Sequence, residues 1–394
     1  MIKKVYRKIR LKAAQTWYWH RFYAKLIKEM EKKIHSNNKL IKINSDVPFV
    51  SKPGIAFSFD DSFRVEQWHK YGMDLFGYYD VKVTFNINAF HHYEGKREHT
   101  QREIDLLLEL QANGHELAHH GLKHENAKAY ITEYNLSKWI EDEIEPLFKW
   151  MEKQAHSKTR EKFKVPVSHA FPFAAYNDEM ITALVSKYFK IVRGGNMSEE
   201  HLTPFNHTGF APSICIDDTF LKSEKYIKKV LRVAKKTGLN LILMSHSILP
   251  EEVRWEDFGW GEESNFAGTW RTSPNMIEVI IKEARKLGFE FYTTAEIAGV
   301  ATFIDPNLER CIRNQLINPN VKWITISELN SIKEIDLSGQ NITNLDGIQY
   351  LSNLEKINLS NNQITDYRLL NRLSKLKEIY GDNDQISSKT GTQY

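Results

Sequence analysis

"GIAFSFDDS", residues 54–62, is a short apolar run that ends in two adjacent carboxylates, Asp60 and Asp61. Its length and composition read as a buried strand. Like charges side by side at a strand end repel, and a cation or a paired base relieves them. A lone Asp-Asp pair can equally be a solvated turn, so the neighbouring sequence has to decide. Outward from this stretch the same pattern recurs: "VKVTFNINAF", "VSHAFPF", "FKIVRGG", "LNLILMSH" and "FEFYTTAEI" are strand-like. Between them lie helical patterns such as "HTQREIDLLLELQANG", "NLSKWIEDEIEPLFKWMEKQ" and "SEKYIKKVLRVAKKTG", several stopping at glycine. Strands alternating with helices over about 250 residues predict an α/β fold with a parallel sheet, barrel-like or doubly wound. In such sheets active-site residues collect at the C-terminal strand ends.

Four histidines, His115, His119, His120 and His124, fall within "GHELAHHGLKHENA" (114–127). The spacing of His120 and His124 lets both imidazoles converge on one point from a helix or a tight turn, the reach a divalent metal needs. Alone, such a pair is more often solvent-facing or hydrogen-bonded. Two further strand ends carry reactive or rigid elements: "LNLILMSHS" (239–247) ends in His246, and "SHAFPFAAYND" (168–178) contains a proline.

The chain has 394 residues, 54 Lys and Arg against 50 Asp and Glu, and a formal charge of +4. That balance argues against a dedicated nucleic-acid binder. Cys215 and Cys311 form neither a metal spacing nor a disulfide framework. Residues 1–53 read as a basic amphipathic helical segment followed by a polar linker, "NNKLIKINSDVPFVSKPG" (37–54). The helix either packs on the next domain or lies on an anionic membrane surface. The segment is a poor signal peptide, and no apolar run approaches the ~20 residues of a membrane span. The expected location is therefore cytoplasmic, with at most peripheral membrane contact.

The tail changes character. Ile332, Ile335, Leu337 and Ile342 recur 22 residues later as Leu354, Ile357, Leu359 and Ile364, with a weaker third copy at Leu376, Ile379 and Ile386. A period in the twenties around "LEKINLSNNQIT" is a leucine-rich repeat pattern, with Asn362 turning the chain after its strand. "IDPNLERCIRNQL" (304–316) reads as a helical cap over the first repeat. Three repeats are near the minimum for a stable stack, so the array is expected to be propped against its neighbour. The expected organisation is residues 1–53, a catalytic domain at 54–300, and a short repeat solenoid at 301–394. A protein or glycan partner is expected at the repeats, or else they act as a structural buttress.

Taken in order, these pieces resemble the polysaccharide deacetylase (NodB homology) family, carbohydrate esterases that remove acetyl groups from sugars. "SFDDS" is similar to that family's T-F-D-D-G motif and "HHGLKH" to H-[S/T]-x-x-H. "FPF" falls where R-P-P-Y/F is expected, and "LILMSH" is similar to L-x-L-x-H. The resemblance covers roughly residues 54–300. It implies a distorted (β/α) barrel and a divalent metal, Zn²⁺ by ligand type, held by Asp61, His120 and His124. It further implies Asp60 as general base, His246 as general acid, the backbone amide of Phe173 at the oxyanion, and an N-acetylated carbohydrate substrate. No G-x-S-x-G elbow suggests a covalent alternative.

The sequence departs from the family at two places. The motif hydroxyl is replaced by Gly121, and the arginine that braces the base falls at Ala170. Either Asp60 is braced by another cation, for which Arg193 in "VRGGN" is the candidate, or it is unbraced; Asp217 and Asp218 in "CIDDT" either support His246 or form an acidic loop pair. His115, His119, His169 and His207 have no matched role. Trp255, Trp260 and Trp270 follow His246 in an irregular segment, where they either stack on sugar rings or pack their own loop. Besides an N-deacetylase, the same residues admit an O-acetyl esterase, a cyclic amide hydrolase, or an inactive glycan-binding module.

Overall fold

The structure is a computed structural model that describes residue 17 and residues 21–32, 53–91, 93–185, 187–195, 202–203, 209–218, 220–221, 223–254, 257 and 270–381. Trp255, Trp260, His207 and the basic residues 3–12 lie outside the described residues.

The first strands are β1 (Gly54–Phe59), β2 (Thr84–Ile87), β3 (Glu116–His119), β4 (Ser168–Ala170), β5 (Ile191–Arg193) and β6 (Gly209–Ala211). They are followed by β7 (Ile214–Cys215), β8 (Leu241–Ser245), β9 (Ser247–Ile248), β10 (Arg271–Thr272) and β11 (Glu290–Phe291). The main sheet is parallel, in the order β6-β5-β4-β3-β2-β1-β8-β7. Its two edges, β6 and β7, are consecutive in sequence, and Ala211 and Ile214 are separated by only Pro212 and Ser213. Three Cα steps span at most ~11 Å. The sheet must therefore curl until its edges approach, which makes it a barrel rather than an open, doubly wound sheet. Its distortion is visible at β1. The start of β1 pairs with β11 (Gly54 with Glu290), and its end pairs with β2 (Phe59 with Phe85) along the same edge.

Burial explains the strand compositions. β1 and β2 are buried along their whole length, under helices on one side and inside the curl on the other. Helix Gln101–Ala112 starts at a capping box between Thr100 and Glu103 and buries Ile104, Leu107 and Leu108. The helix at 21–32 buries Tyr23, Leu26, Ile27 and Met30 in the same core, and Tyr23 stacks on Tyr226 at 5.0 Å. This part of the N-terminal segment thus packs on the barrel. No described helix is long and apolar enough to cross a membrane.

Two segments differ from the sequence reading. Residues 136–153 are helical throughout, as expected, but a π-helical turn, Ile140–Ile144, interrupts the α-helical pattern between Leu136–Trp139 and Glu145–Lys153. "FEFYTTAEI" is strand only at Glu290–Phe291, because Thr293 and Glu296 form a capping box that starts helix Thr294–Ile297.

The tail forms β12 (Glu334–Asp336), β13 (Lys356–Asn358) and β14 (Glu378–Tyr380), paired in parallel with Ile335, Ile357 and Ile379 in register. Asn362 accepts the backbone N–H groups of Gln340 and Ile342 and donates to the carbonyls of Leu337 and Leu359. One half-buried amide therefore joins two turns of the stack. Asp305 caps helix Pro306–Arg313 and, with its second oxygen, accepts from Thr343 and Asn344. The stack has its own apolar cluster and rests on the barrel floor. Phe303 packs against Gly347 (φ +108°), where any Cβ would meet the ring at 2.1 Å. Tyr350 donates its hydroxyl to Glu296 at 2.5 Å.

Candidate metal centre and active site

Parallel strands place all their C-terminal ends on one rim. Asp60 and Asp61 follow β1, His120 follows β3, Phe173 follows β4, Arg193 ends β5, Asp217 follows β7 and His246 follows β8. Residues far apart in sequence therefore share one mouth of the barrel.

His120 Nε2 lies 3.1 Å and His124 Nε2 3.0 Å from the same atom, Asp61 Oδ1. Among the described residues this is the one cluster of metal-type ligands whose donor atoms all lie within 4.8 Å of one another. His120 Nδ1 is 2.8 Å from the carbonyl of Ala170. A carbonyl only accepts, so Nδ1 carries a proton and Nε2 is the nitrogen that faces the carboxylate. At 3.0–3.1 Å a proton or a metal ion can join each imidazole nitrogen to this oxygen. Donors ~2.0 Å from a tetrahedral ion sit about 3.3 Å apart, close to what is seen. The residues therefore fit a divalent ion, and the carbonyl of Ala170 orients one ligand. Backbone strain gathers here too, with positive φ at Asp61 (65°), His124 (64°), Phe173 (58°) and Ala174 (50°). Strain of this kind persists only where surrounding structure enforces it.

Asp60 is buried, and the Arg193 guanidinium lies 2.5 Å from each of its oxygens. Asn86 donates to Asp60 Oδ1 at 2.9 Å. Arg193 also donates to Gly194 O and Ser213 Oγ, which fixes its plane. His246 Nδ1 lies 2.6 Å from Asp217 Oδ2, and its Nε2 is 3.8 Å from Asp61 Oδ2. Burial alone would lower the His246 pKa. The charge and hydrogen bond of Asp217, with Asp61 and Asp60 behind it, outweigh burial and raise it to about 9. Asp217 is held in turn by the Ser245 hydroxyl at 2.5 Å and the Cys215 thiol at 3.2 Å. Asp218 instead pairs with Arg271 at 3.6 Å.

Phe173 is exposed on the turn Pro172–Ala174, with its ring 4.5 Å from that of His124. Together with Phe63, Phe90, Tyr93 and Trp270 it lines a cavity of about 740 Å³ that reaches Asp61 and His124. Trp270 also stands edge-on to His246, 4.6 Å between centroids.

The histidines without a matched role that the structure describes are buried supports. His115 Nδ1 accepts the Val83 N–H, and burial drives its pKa down to about 3. His119 Nδ1 accepts the Gly121 N–H and contacts His169 Nδ1 at 3.0 Å. Burial holds His169 well below the usual imidazole range. Sequence reasoning passed over Asn86, Asn88, His99 and Glu143. Asn88 donates to the carbonyls of both His120 and Gly121, at 2.6 and 2.9 Å. Ser62, next to Asp61, contacts His99 Nε2 at 2.9 Å. Asparagines at alternate positions of the otherwise apolar "TFNIN" were the available signal.

Residues 48–192 match the family model described as polysaccharide deacetylase. That match takes in Asp60, Asp61, His120, His124 and Phe173 but stops before Arg193 and His246. A comparison with curated proteins finds no match. Among solved structures, this chain is similar to the chitin deacetylase of Colletotrichum lindemuthianum, at 14% identity over 64% of this chain and 89% of that one, with a TM-score of 0.41. It is similar to the catalytic domain of a peptidoglycan N-acetylglucosamine deacetylase from Eubacterium rectale, at 15% identity over 61% and 88%, with a TM-score of 0.37. An internalin from Listeria monocytogenes is 33% identical over 22% of this chain and 28% of its own length, with a TM-score of 0.20.

Proposed function

We propose that the barrel is a metal-dependent hydrolase that removes the N-acetyl group from an N-acetylated amino sugar in a glycan or glycan precursor. The observation that carries this reading is the meeting of Asp61, His120 and His124 at one point, with His246 across the mouth. Zn²⁺ is the ion this donor set suits, and when bound it would acidify water and polarise the acetyl carbonyl. Asp60, oriented by Arg193 and Asn86, takes a proton from the attacking water. The water oxygen bonds to the carbonyl carbon, and the Phe173 amide is assigned to the developing oxyanion. His246, kept protonated by Asp217, gives its proton to the sugar nitrogen as the carbon–nitrogen bond breaks, so acetate and a free amine leave. Aromatic walls around the cavity suit the apolar faces of a sugar ring, and Trp260 is assigned to the same task. The tail is read as a leucine-rich repeat unit that binds a protein or glycan, and the basic N-terminal residues as a peripheral membrane contact.

The test is acetate release from N-acetylhexosamine oligomers, with and without a chelator, alongside metal analysis of the purified chain. Release that a chelator abolishes and Zn²⁺ restores is expected. A chain that holds no metal and releases no acetate, yet retains glycan, would overturn the reading in favour of a binding module.

A further inference from the structure

The loop that carries His120 and His124 is wired from outside itself. The His120 N–H bonds Ile87 O, and the carbonyls of His120 and Gly121 accept from Asn88. The Gly121 N–H goes to His119, and Leu122 O accepts from Ala89. The next donors, which lead to His124, converge on one residue. Leu122 N–H bonds the carbonyl of Glu143 at 3.0 Å, Lys123 N–H bonds its carboxylate Oε2 at 3.0 Å, and Glu125 N–H reaches the same oxygen at 3.5 Å. Glu143 sits in the π-helical turn Ile140–Ile144 and is 2% exposed. Single π turns widen a helix and re-aim a side chain, and they recur at functional sites.

We propose that Glu143 is the positioning residue for His124. Its carboxylate holds the two N–H groups that flank this ligand, so that the imidazole arrives at Asp61 in a strained conformation (φ +64°) it would not otherwise keep. This rests on the metal-site reading given above. It also accounts for the glycine at 121. Gly121 has φ +79°, and a Cβ there would stand 2.9 Å from Glu143 Oε2. The carboxylate occupies the space that a residue-121 side chain would need, so the loop is held from the neighbouring helix instead of from within.

The test uses the full chain and Zn²⁺ as the probe, with affinity read by competition against a chromophoric chelator and apo-protein melting read in parallel. Glu143→Ala should weaken Zn²⁺ binding about 10- to 100-fold, the usual cost of losing a group that orients a ligand. Glu143→Asp, which keeps the charge but falls one methylene short, should lose affinity as well. Glu143→Gln keeps an acceptor in place and should stay within a few-fold of the parent. Gly121→Ser alone should weaken binding, because its side chain meets the carboxylate. In the Glu143→Ala background the same serine should cost less affinity than it does in the parent, because the clash with the carboxylate is gone and only the strain at φ +79° remains. Parental affinity in both Glu143→Ala and Glu143→Asp would overturn the proposal, as would affinity losses that simply add in the double variant. If the parent chain itself binds no Zn²⁺, the metal-site reading fails and this inference fails with it. If the parent binds and the Glu143 variants match it, only this inference fails.

Discussion

Buried acids stand at both ends of the barrel, and they are matched in opposite ways. At the mouth, Asp60 faces the Arg193 guanidinium and Asp217 faces the His246 imidazole. At the floor, Glu116 receives the hydroxyls of Thr84 and Ser168 and the Ala295 N–H. Glu296 receives the Tyr350 hydroxyl and the Thr293 N–H. Neutral donors do not repay the loss of hydration of a full charge. Burial accordingly raises the pKa of Glu116, and raises that of Glu296 to about 7. Cations at the mouth match the acids charge for charge, whereas hydroxyls at the floor turn acids into joints. The same residue type meets cations beside the metal-type cluster at one end and fastens the tail stack at the other.

The contrast breaks most severely at Asp61. Asp61→Ala removes the atom on which both imidazoles converge, and acetate release should fall by at least ~10³-fold, since a catalytic metal supplies several kcal/mol. Melting temperature should change little or rise, because the variant also removes a buried charge. Full activity in Asp61→Ala would remove the mouth from the mechanism altogether.

Arg193→Met comes next. It strands Asp60 as an uncompensated buried charge, and breaking one side of such a pair costs about 3–5 kcal/mol. Urea unfolding should show that loss, and adding Asp60→Asn should recover much of it. If Arg193→Met alone is as stable as the parent, then cation matching does not distinguish the mouth from the floor.

Much of the mouth was legible in the sequence, because a parallel sheet turns strand ends into neighbours. The apolar runs before Asp60, His169 and His246 gave the strands, and the strands gave the rim. The supports were less legible. Glu143 is one acid among several in "EDEIEP", and its reach to Lys123 depends on a π turn that helical periodicity reads as ordinary helix. Arg193 could be chosen as a brace from composition, but its seat on both oxygens of Asp60 through Nη2 depends on β5 lying two strands beyond β3, a matter of sheet order. The floor was the least legible. Glu296 and Tyr350 are 54 residues apart and belong to different layers, so no local pattern links them. The 22-residue period of the tail showed that a stack exists, but not which side chains fasten it to the barrel.

The floor sharpens the comparison through pH. Glu296 has a folded pKa of about 7 against an ordinary 4.5. Below 4.5 the carboxyl is protonated in both states and the joint is at full strength. Between 4.5 and 7 the unfolded chain has released a proton that the folded chain retains, so stability falls as pH rises and levels off above about 7. The whole change is on the order of 3 kcal/mol. Glu296→Gln should flatten this part of the stability curve, measured as the difference between parent and variant from pH 4 to 8. An unchanged slope would mean that the Glu296 proton is not coupled to folding.

Asp217→Asn probes the mouth from its cationic side, with the smallest effect of the four. The Asp217 charge is the largest influence raising the His246 pKa, which stands at about 9. Its removal leaves burial opposed only by the more distant acids, so His246 should lose its proton at lower pH. The alkaline limb of the kcat/KM profile should then move toward neutrality by about one to two pH units, with a loss near pH 8 of roughly 2- to 10-fold, within the range that general acids supply. Below the shifted limb, where His246 is protonated in either form, the variant should come closer to parental rates. That convergence separates a changed proton affinity from a misplaced ring, which would depress the rate equally at every pH. Asparagine can still accept the Nδ1 proton through its amide oxygen, so the ring keeps its orientation while the charge behind it is gone.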